Sequence, residues 1–145
     1  VVGAGPRLPA VAAREADGVN CTGIAFTRGG TAPDRSGWRA AAIDERMRVV
    51  RDAAGERFDR LVLSAQVQRV IVTDRRREAA AELQQSWKQL SVDEILEAPY
   101  ALIGSVDEMV ESLHARRERW GLSYFVTFEQ YLETLAPVVA KLTGK

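Results

Sequence analysis

The sequence is poor in two residue types that often mark reactive or metal-binding sites, with one cysteine and one histidine in 145 residues. A single cysteine, Cys21, cannot form an internal disulfide, and one Cys with one His cannot make a Cys/His zinc cluster. No apolar run approaches the roughly 20 residues that span a bilayer, and no basic and apolar signal opens the chain. We therefore expect a protein of the reducing cytoplasm that holds no metal.

Neither sign of charge predominates. Lys+Arg and Asp+Glu both number 20, which gives a formal net charge of zero. Nucleic acids and anionic membrane surfaces are bound through a basic field, so neither is expected as a partner. The rest of the composition, 46% hydrophobic and 28% charged, is ordinary for a globular protein. The length fits one domain over residues 1–145.

Strand-like and helical patterns alternate along the chain. The predicted strands cover residues 19–26, 61–73 and 123–128, with a loop at 28–34 and a short extended piece at 100–103. The predicted helices cover residues 7–17, 36–54, 75–90 and 130–142, with Ser36 and Asp74 as caps of the second and third. Ser91 with Glu94 and Ser105 with Glu108 fit the capping box and predict two further helix starts. Gly121 predicts the end of the second of these helices.

This alternation predicts an α/β fold with parallel strands and crossover helices. Val1 and Val2 precede a glycine turn and have the pattern of a strand that is cut short. About four β/α units make half of a (β/α)8 barrel, which typically needs around 250 residues. The second half of such a barrel, truncated at its N-terminus, is our first hypothesis. A complete small doubly wound domain is the alternative.

Gly3, Ala4, Gly5 and Pro6 lie between a predicted strand and a predicted helix. Glycine at such a turn lets the backbone approach a ligand closely, and the free N–H groups of the helix start can hold an anion. The turn is therefore a candidate phosphate site, although many strand-helix turns use glycine only for their geometry.

Other notable side chains have structural interpretations. Cys21 is predicted to be a small core residue, and Thr22 a strand-end hydroxyl that bonds its own backbone. His114 lies on a charged helix face, and Gln66 and Gln68 could face either a barrel interior or solvent. The tryptophans fall on apolar stripes and are predicted core residues: Trp38, Trp87 and Trp120.

Four stretches of the chain resemble one known family. They are residues 1–8 with 12–19 (VVGAGPRL and AAREADGV), 56–61 (ERFDRL), 99–108 (PYALIGSVDE) and 119–125 (RWGLSYF). In this order and spacing they are similar to the luciferase-like monooxygenase superfamily, and most of all to its branch that uses the deazaflavin coenzyme F420.

The resemblance implies a luciferase-like (β/α)8 TIM barrel of which this chain is the C-terminal half, with coenzyme F420 or, alternatively, FMN bound at the C-terminal ends of the strands. It implies that Gly3, Ala4 and Gly5 help to hold the phosphate-bearing tail, with Ala4 where glycine is usual. Thr22, at the next strand end, joins the candidate cofactor site. Ala25 replaces a lysine of the sugar-phosphate-oxidising relatives, which argues against that substrate class.

The implied activity is hydride transfer to or from a small-molecule organic substrate by an oxidoreductase or monooxygenase. In this family the residues beside the reacting ring come from the first strands, which are absent here, so no catalytic residue is assigned. We expect the chain to be inactive alone, and either to associate with the missing N-terminal half or to form a homo-oligomer. The alternative is a non-catalytic truncated α/β module that serves assembly or has no function.

Overall fold

The computed structural model describes residues 7–21, the backbone of 25–26, and residues 33–143. The helices are α1 Leu8–Glu15, α2 Ala40–Ala54, α3 Arg76–Gln84, α4 Val92–Glu97, α5 Val106–Trp120 and α6 Leu132–Leu142. The strands are β1 Gly18–Asn20, β2 Ala25–Phe26, β3 Pro33–Asp34, β4 Val62–Gln66, β5 Arg69–Val72, β6 Ala101–Gly104 and β7 Leu122–Val126. Short 3-10 helices cover Ser36–Trp38, Gly55–Arg60 and Glu129–Tyr131.

The main sheet has three parallel strands in the order β1-β4-β7. Val19 lies opposite Leu63, and Ala65 lies opposite Phe125. Helix α2 lies between β1 and β4 in the sequence, as a parallel crossover requires. The prediction that these three strands are parallel neighbours in one sheet is confirmed. The count of four β/α units stays a prediction, because the first predicted strand lies outside the described residues.

Two predicted strands were wrong in extent, because in each case the chain changes its bonding partner. The predicted strand 61–73 is interrupted: the Val67 amide donates to the Val126 carbonyl at 2.8 Å, whereas the Gln68 amide donates to the Tyr100 carbonyl at 2.7 Å. The continuation, β5, pairs with β6 in parallel. The predicted strand 19–26 ends at Asn20 in β1, and β2 pairs in antiparallel fashion with β3, inside the predicted loop 28–34.

Two predicted helices also differ from the structure at their ends. Ser36 does not cap a helix: it begins a 3-10 turn, its amide donates to Asp34 Oδ1 at 2.9 Å, and α2 starts at Ala40. Asp74 is not the cap of α3, since the Arg75 amide donates to Thr73 Oγ1 at 3.0 Å. That helix ends at Gln84, and the next residues form turns that still bury Trp87 and Leu90.

The starts of α4 and α5 follow the sequence prediction. In each helix the serine oxygen accepts from the backbone amide three residues later, and the glutamate there accepts from the serine amide. Gly121, with φ of 73°, ends α5 in the left-handed conformation that favours glycine. Both capping boxes and the glycine stop are therefore confirmed.

The core lies between the main sheet and the helices. All three tryptophans are buried, as predicted. The Trp38 ring packs against Trp87 with centroids 4.8 Å apart and against Tyr100 at 4.7 Å. Arg116 is also buried and donates to the carbonyls of Ala98 and Ala101, both at 2.7 Å. These bonds join α5 to the end of α4 and to the first residue of β6. No helix in the described part of the chain is long and apolar enough to cross a membrane.

Helices α2 and α5 are joined by the Asp44 carboxylate. It accepts from Arg119 Nε at 3.0 Å, from Arg119 Nη2 at 2.7 Å and from Trp120 Nε1 at 2.7 Å. The hydrogen bonds from Arg119 hold the pKa of Asp44 below its usual value, against the opposing effect of burial. A carboxyl group whose pKa is lowered by folding stabilises the fold above its ordinary pKa, and that stabilisation is lost as the pH falls through the folded value.

We expect Asp44→Asn to lower the free energy of unfolding by about 1 kcal/mol at pH 7, a value reduced for the partial exposure of both partners. The difference from the parent should narrow as the pH falls from about 7 through the lowered pKa of Asp44, because the parent carboxylate is then itself protonated. Urea unfolding monitored by tryptophan fluorescence measures both. Asp52→Asn on the same helix is the matched control, since its ion pair with Arg48 is solvent-exposed. A constant difference at every pH would contradict the ionic role of Asp44.

Candidate functional site

The carboxyl ends of β1, β4 and β7 meet at one edge of the main sheet. The strands end at Asn20, Gln66 and Val126. The ladder extends one step further, since the Cys21 amide donates to the Ser64 carbonyl at 2.7 Å. In parallel α/β folds this edge is where ligands bind, because loops from several strands converge there.

The two faces of the main sheet differ in character. Val19, Leu63 and Ala65 belong to the core that includes side chains of α1 and α2. On the opposite face the register aligns Asn20 with Ser64, and Ser64 with Tyr124, so these polar side chains form one row across three strands. Tyr124 is 57% exposed. We call these three residues the polar row.

A register shift in β7 creates the polar row. Leu122 lies opposite Leu63, but the next pair is Ser64 with Tyr124, so Ser123 has no partner on β4. Strict alternation from the buried Leu122 would place Tyr124 on the buried face. The extra residue reverses the alternation, as a β-bulge does, and turns Tyr124 to the open face. Sequence analysis missed this residue because the strand pattern alone does not reveal a bulge.

Asn20 has an unsatisfied acceptor. Its Oδ1 atom is buried and has no hydrogen-bond partner among the residues that the structure describes. A buried acceptor without a partner costs about 1–3 kcal/mol, and such groups often lie where a ligand or a water completes the bonding. Nothing in the sequence pattern distinguishes Asn20 from an ordinary strand residue.

Two arginines, Arg35 and Arg69, lie near each other close to the start of β5. Burial and the positive charge of Arg69 lower the pKa of Arg35. In the described part of the chain neither guanidinium forms a salt bridge, and Arg35 Nε and the nearby Trp38 Nε1 are buried donors without acceptors. The Arg35 guanidinium lies 5.2 Å from the centre of the Trp38 ring. Arg69 begins β5 shortly after β4 ends at Gln66. The two positive charges, which we call the arginine pair, could hold an anion at this edge.

The candidate cofactor residues named from the sequence, Gly3, Ala4, Gly5 and Thr22, lie outside the described residues and stay predictions. Gln66 is half-buried and in register with Val126 on the open side of the sheet. Gln68 lies beyond the strand, where its Nε2 donates to the Gln66 carbonyl at 3.4 Å.

Neither Cys21 nor His114 provides a reactive side chain at this edge. Cys21 is 1% exposed, and burial raises the pKa of its thiol to about 11, partly opposed by the charge of Arg46. It is therefore the small core residue that the sequence predicts. His114 is exposed on α5 and lies beside Arg117, Leu122 and Ser123, near the opposite end of β7. Within the described residues no group of three or more His, Cys, Asp or Glu side chains could hold a metal ion.

Comparison with known proteins identifies a fold. No protein-family model matches the sequence, and no curated protein matches it. Among solved structures, the chain is similar to the long-chain alkane monooxygenase LadA, with a TM-score of 0.56 and 15% sequence identity. The match covers 97% of this chain and 39% of the LadA chain. The mixed α/β fold with parallel strands is thus shared with part of that monooxygenase.

Cys21 provides a probe of this strand end. We expect a disulfide reagent to modify the thiol very slowly in the native chain at about pH 8, because both the burial and the raised pKa suppress the thiolate. In denaturant the same thiol should react rapidly. Cys21 is the chain's one cysteine, so the absorbance of the released reagent reports this site alone. Fast modification without denaturant would show that the end of β1 opens readily.

Proposed function

We propose that this chain is the C-terminal half of a luciferase-like oxidoreductase or monooxygenase that binds coenzyme F420 or, alternatively, FMN at the carboxyl edge of its main sheet. The observation that carries the proposal is the polar row, which lies on the sheet face opposite the core with Ser64 buried and Tyr124 exposed. It lies near an edge where the arginine pair has no carboxylate partner among the described residues. The likeness in fold to part of LadA supports it.

The chemistry of the edge fits a phosphate-bearing group. Two neighbouring guanidinium groups raise each other's electrostatic energy, and an anion between them would lower it. Guanidinium groups also match the geometry of phosphate oxygens. In our proposal Arg35 and Arg69 supplement the glycine turn of Gly3, Ala4 and Gly5, and Thr22 follows β1 into the same site.

The polar row is proposed to orient the ring system and the substrate. Asn20 Oδ1 is an acceptor that needs a donor, and the hydroxyls of Ser64 and Tyr124 can donate or accept. A flavin or deazaflavin supplies hydride transfer when it is bound. The residues of this chain would position it and exclude water, and we assign no catalytic acid or base among them. A small organic substrate and a cytoplasmic location complete the proposal.

Completion of the site needs further strands. Among the described strands of the main sheet, β7 pairs on one side only, and Val62 and Tyr124 are about half exposed on the open face. Parallel sheets are normally covered on both faces. We therefore propose that an N-terminal half barrel, or a second copy of the chain, covers this face.

The proposal predicts that the 145-residue chain alone binds neither F420 nor FMN at micromolar strength, whereas the chain joined to a luciferase-like N-terminal half binds one of them. Titrations followed by cofactor absorbance or fluorescence measure both. In the joined protein, the double variant Arg35→Gln/Arg69→Gln should weaken binding at least tenfold, because charge-assisted bonds to phosphate contribute about 1.5–3 kcal/mol each.

The matched control is Arg60→Gln, since Arg60 is exposed on a 3-10 helix and no hydrogen bond or ion pair of its side chain is found in the described part of the chain. Its cofactor affinity should equal that of the parent. Equal affinity in the double variant would remove the arginine pair from the site. A stable monomer of the isolated chain that binds either cofactor tightly would mean that the domain is complete by itself.

A further inference from the structure

A cleft runs between α5 and α6 on the helix-covered side of β7. It consists of two adjoining cavities of about 280 Å³ and 260 Å³, which share the side chains of Leu113, Phe125 and Leu142 as walls. Each volume approaches the lower end of the range for small-molecule sites, about 300–1,000 Å³. Phe125 is in register with the buried Ala65, so the cleft lies on the opposite side of the sheet from the polar row and does not depend on the proposed cofactor site.

The larger cavity offers almost no free polar group. Val67, Leu102 and Val138 are among its buried apolar lining residues. Its two threonines are already bonded: Thr127 Oγ1 donates to the Val67 carbonyl at 3.2 Å, and Thr143 Oγ1 donates to the Val139 carbonyl at 2.8 Å. A polar ligand would find few partners there, whereas an alkyl chain would gain the free energy of apolar burial.

The smaller cavity adds a positive end to this apolar space. Its polar lining residues are His114, Arg117 and Ser123. Arg117 is exposed, and its side chain forms neither an ion pair nor a hydrogen bond in the described part of the chain. Ser123 is the unpaired residue of the β7 bulge, with its side chain exposed. Guanidinium, imidazole and hydroxyl groups are all suitable donors to a carboxylate.

We propose that the cleft between α5 and α6 binds a medium-chain aliphatic carboxylate, with the alkyl chain in the cavity of Val67, Leu102 and Val138 and the carboxylate at Arg117. The polarity of the two adjoining cavities matches the two ends of such a molecule. Specificity comes from the combination, because the apolar cavity selects chain length and Arg117 selects the negative charge.

The first test is a series of calorimetric titrations of the 145-residue chain with butanoate, hexanoate and octanoate. Each step of two methylenes should tighten Kd by up to about fifteenfold, which corresponds to about 0.8 kcal/mol per buried methylene. Octan-1-ol, which has an apolar chain of the same length without the charge, should bind at least tenfold more weakly than octanoate. A Kd that is independent of chain length, or equal for the alcohol and the acid, would overturn the proposal.

Three variants test the residues themselves. Arg117→Gln should weaken octanoate binding about tenfold and leave octanol binding unchanged, whereas the control Arg60→Gln should alter neither. Val139 lines the larger cavity but is 57% exposed on α6, so Val139→Phe should narrow the cavity while the chain still folds, which circular dichroism checks. We expect this variant to weaken both ligands at least fivefold.

Two further results would overturn the proposal. One is octanoate binding that is unaffected by both Arg117→Gln and Val139→Phe. The other is that the protein sediments as a dimer and does not bind octanoate, because a second copy of the chain would then cover the cleft. Sedimentation measured with and without octanoate distinguishes this second result from carboxylate binding by a monomer.

Discussion

The structure depends on the burial of one face of the parallel sheet β1-β4-β7. Val19, Leu63 and Leu122 are almost fully buried on that face, among side chains of α1 and α2. Fully burying such a side chain contributes about 1.5–3 kcal/mol, whereas an exposed ion pair contributes about 0–1 kcal/mol. The register that buries these residues also aligns Asn20 and Ser64 on the other face. The polar row is therefore a consequence of how the core is built.

The beginning of β7 connects both faces of the sheet to α5. Gly121 takes a positive φ of 73°, and a Cβ atom there would lie 3.2 Å from Leu63 Cδ1, so a larger residue would press on the core. Leu122 then enters the core, and the unpaired Ser123 shifts the register by one residue. As a result Tyr124 reaches the open face, while Phe125 walls the cleft beside α6. One extra residue thus shapes both proposed sites.

The sequence predicted correctly the helix ends that depend on a few consecutive residues. The capping boxes at Ser91 and Ser105 and the stop at Gly121 each depend on a few consecutive residues. The apolar runs likewise predicted three parallel strands. The break at Val67 was not predictable, because the alternation of apolar and polar residues continues through Val67 and Gln68 while the bonding partner changes from β7 to Tyr100. Asn20 and the arginine pair stand out only through tertiary contacts, and the glycine turn at Gly3 stays a prediction.

The open face of the main sheet and the edge of β7 pose a single structural problem among the described residues. Strand edges with unpaired backbone groups favour pairing with further strands, and exposed apolar side chains such as Val62 and Tyr124 favour a covering layer. In a closed (β/α)8 barrel both needs are met by the same elements, since an added parallel strand pairs with the edge of β7 and the added strands fill the interior with their side chains. The groups that would enclose a ligand over the polar row would therefore come from the strands that close the sheet. If the proposed function holds, cofactor binding and completion of the fold are linked, and each stabilises the other by mass action.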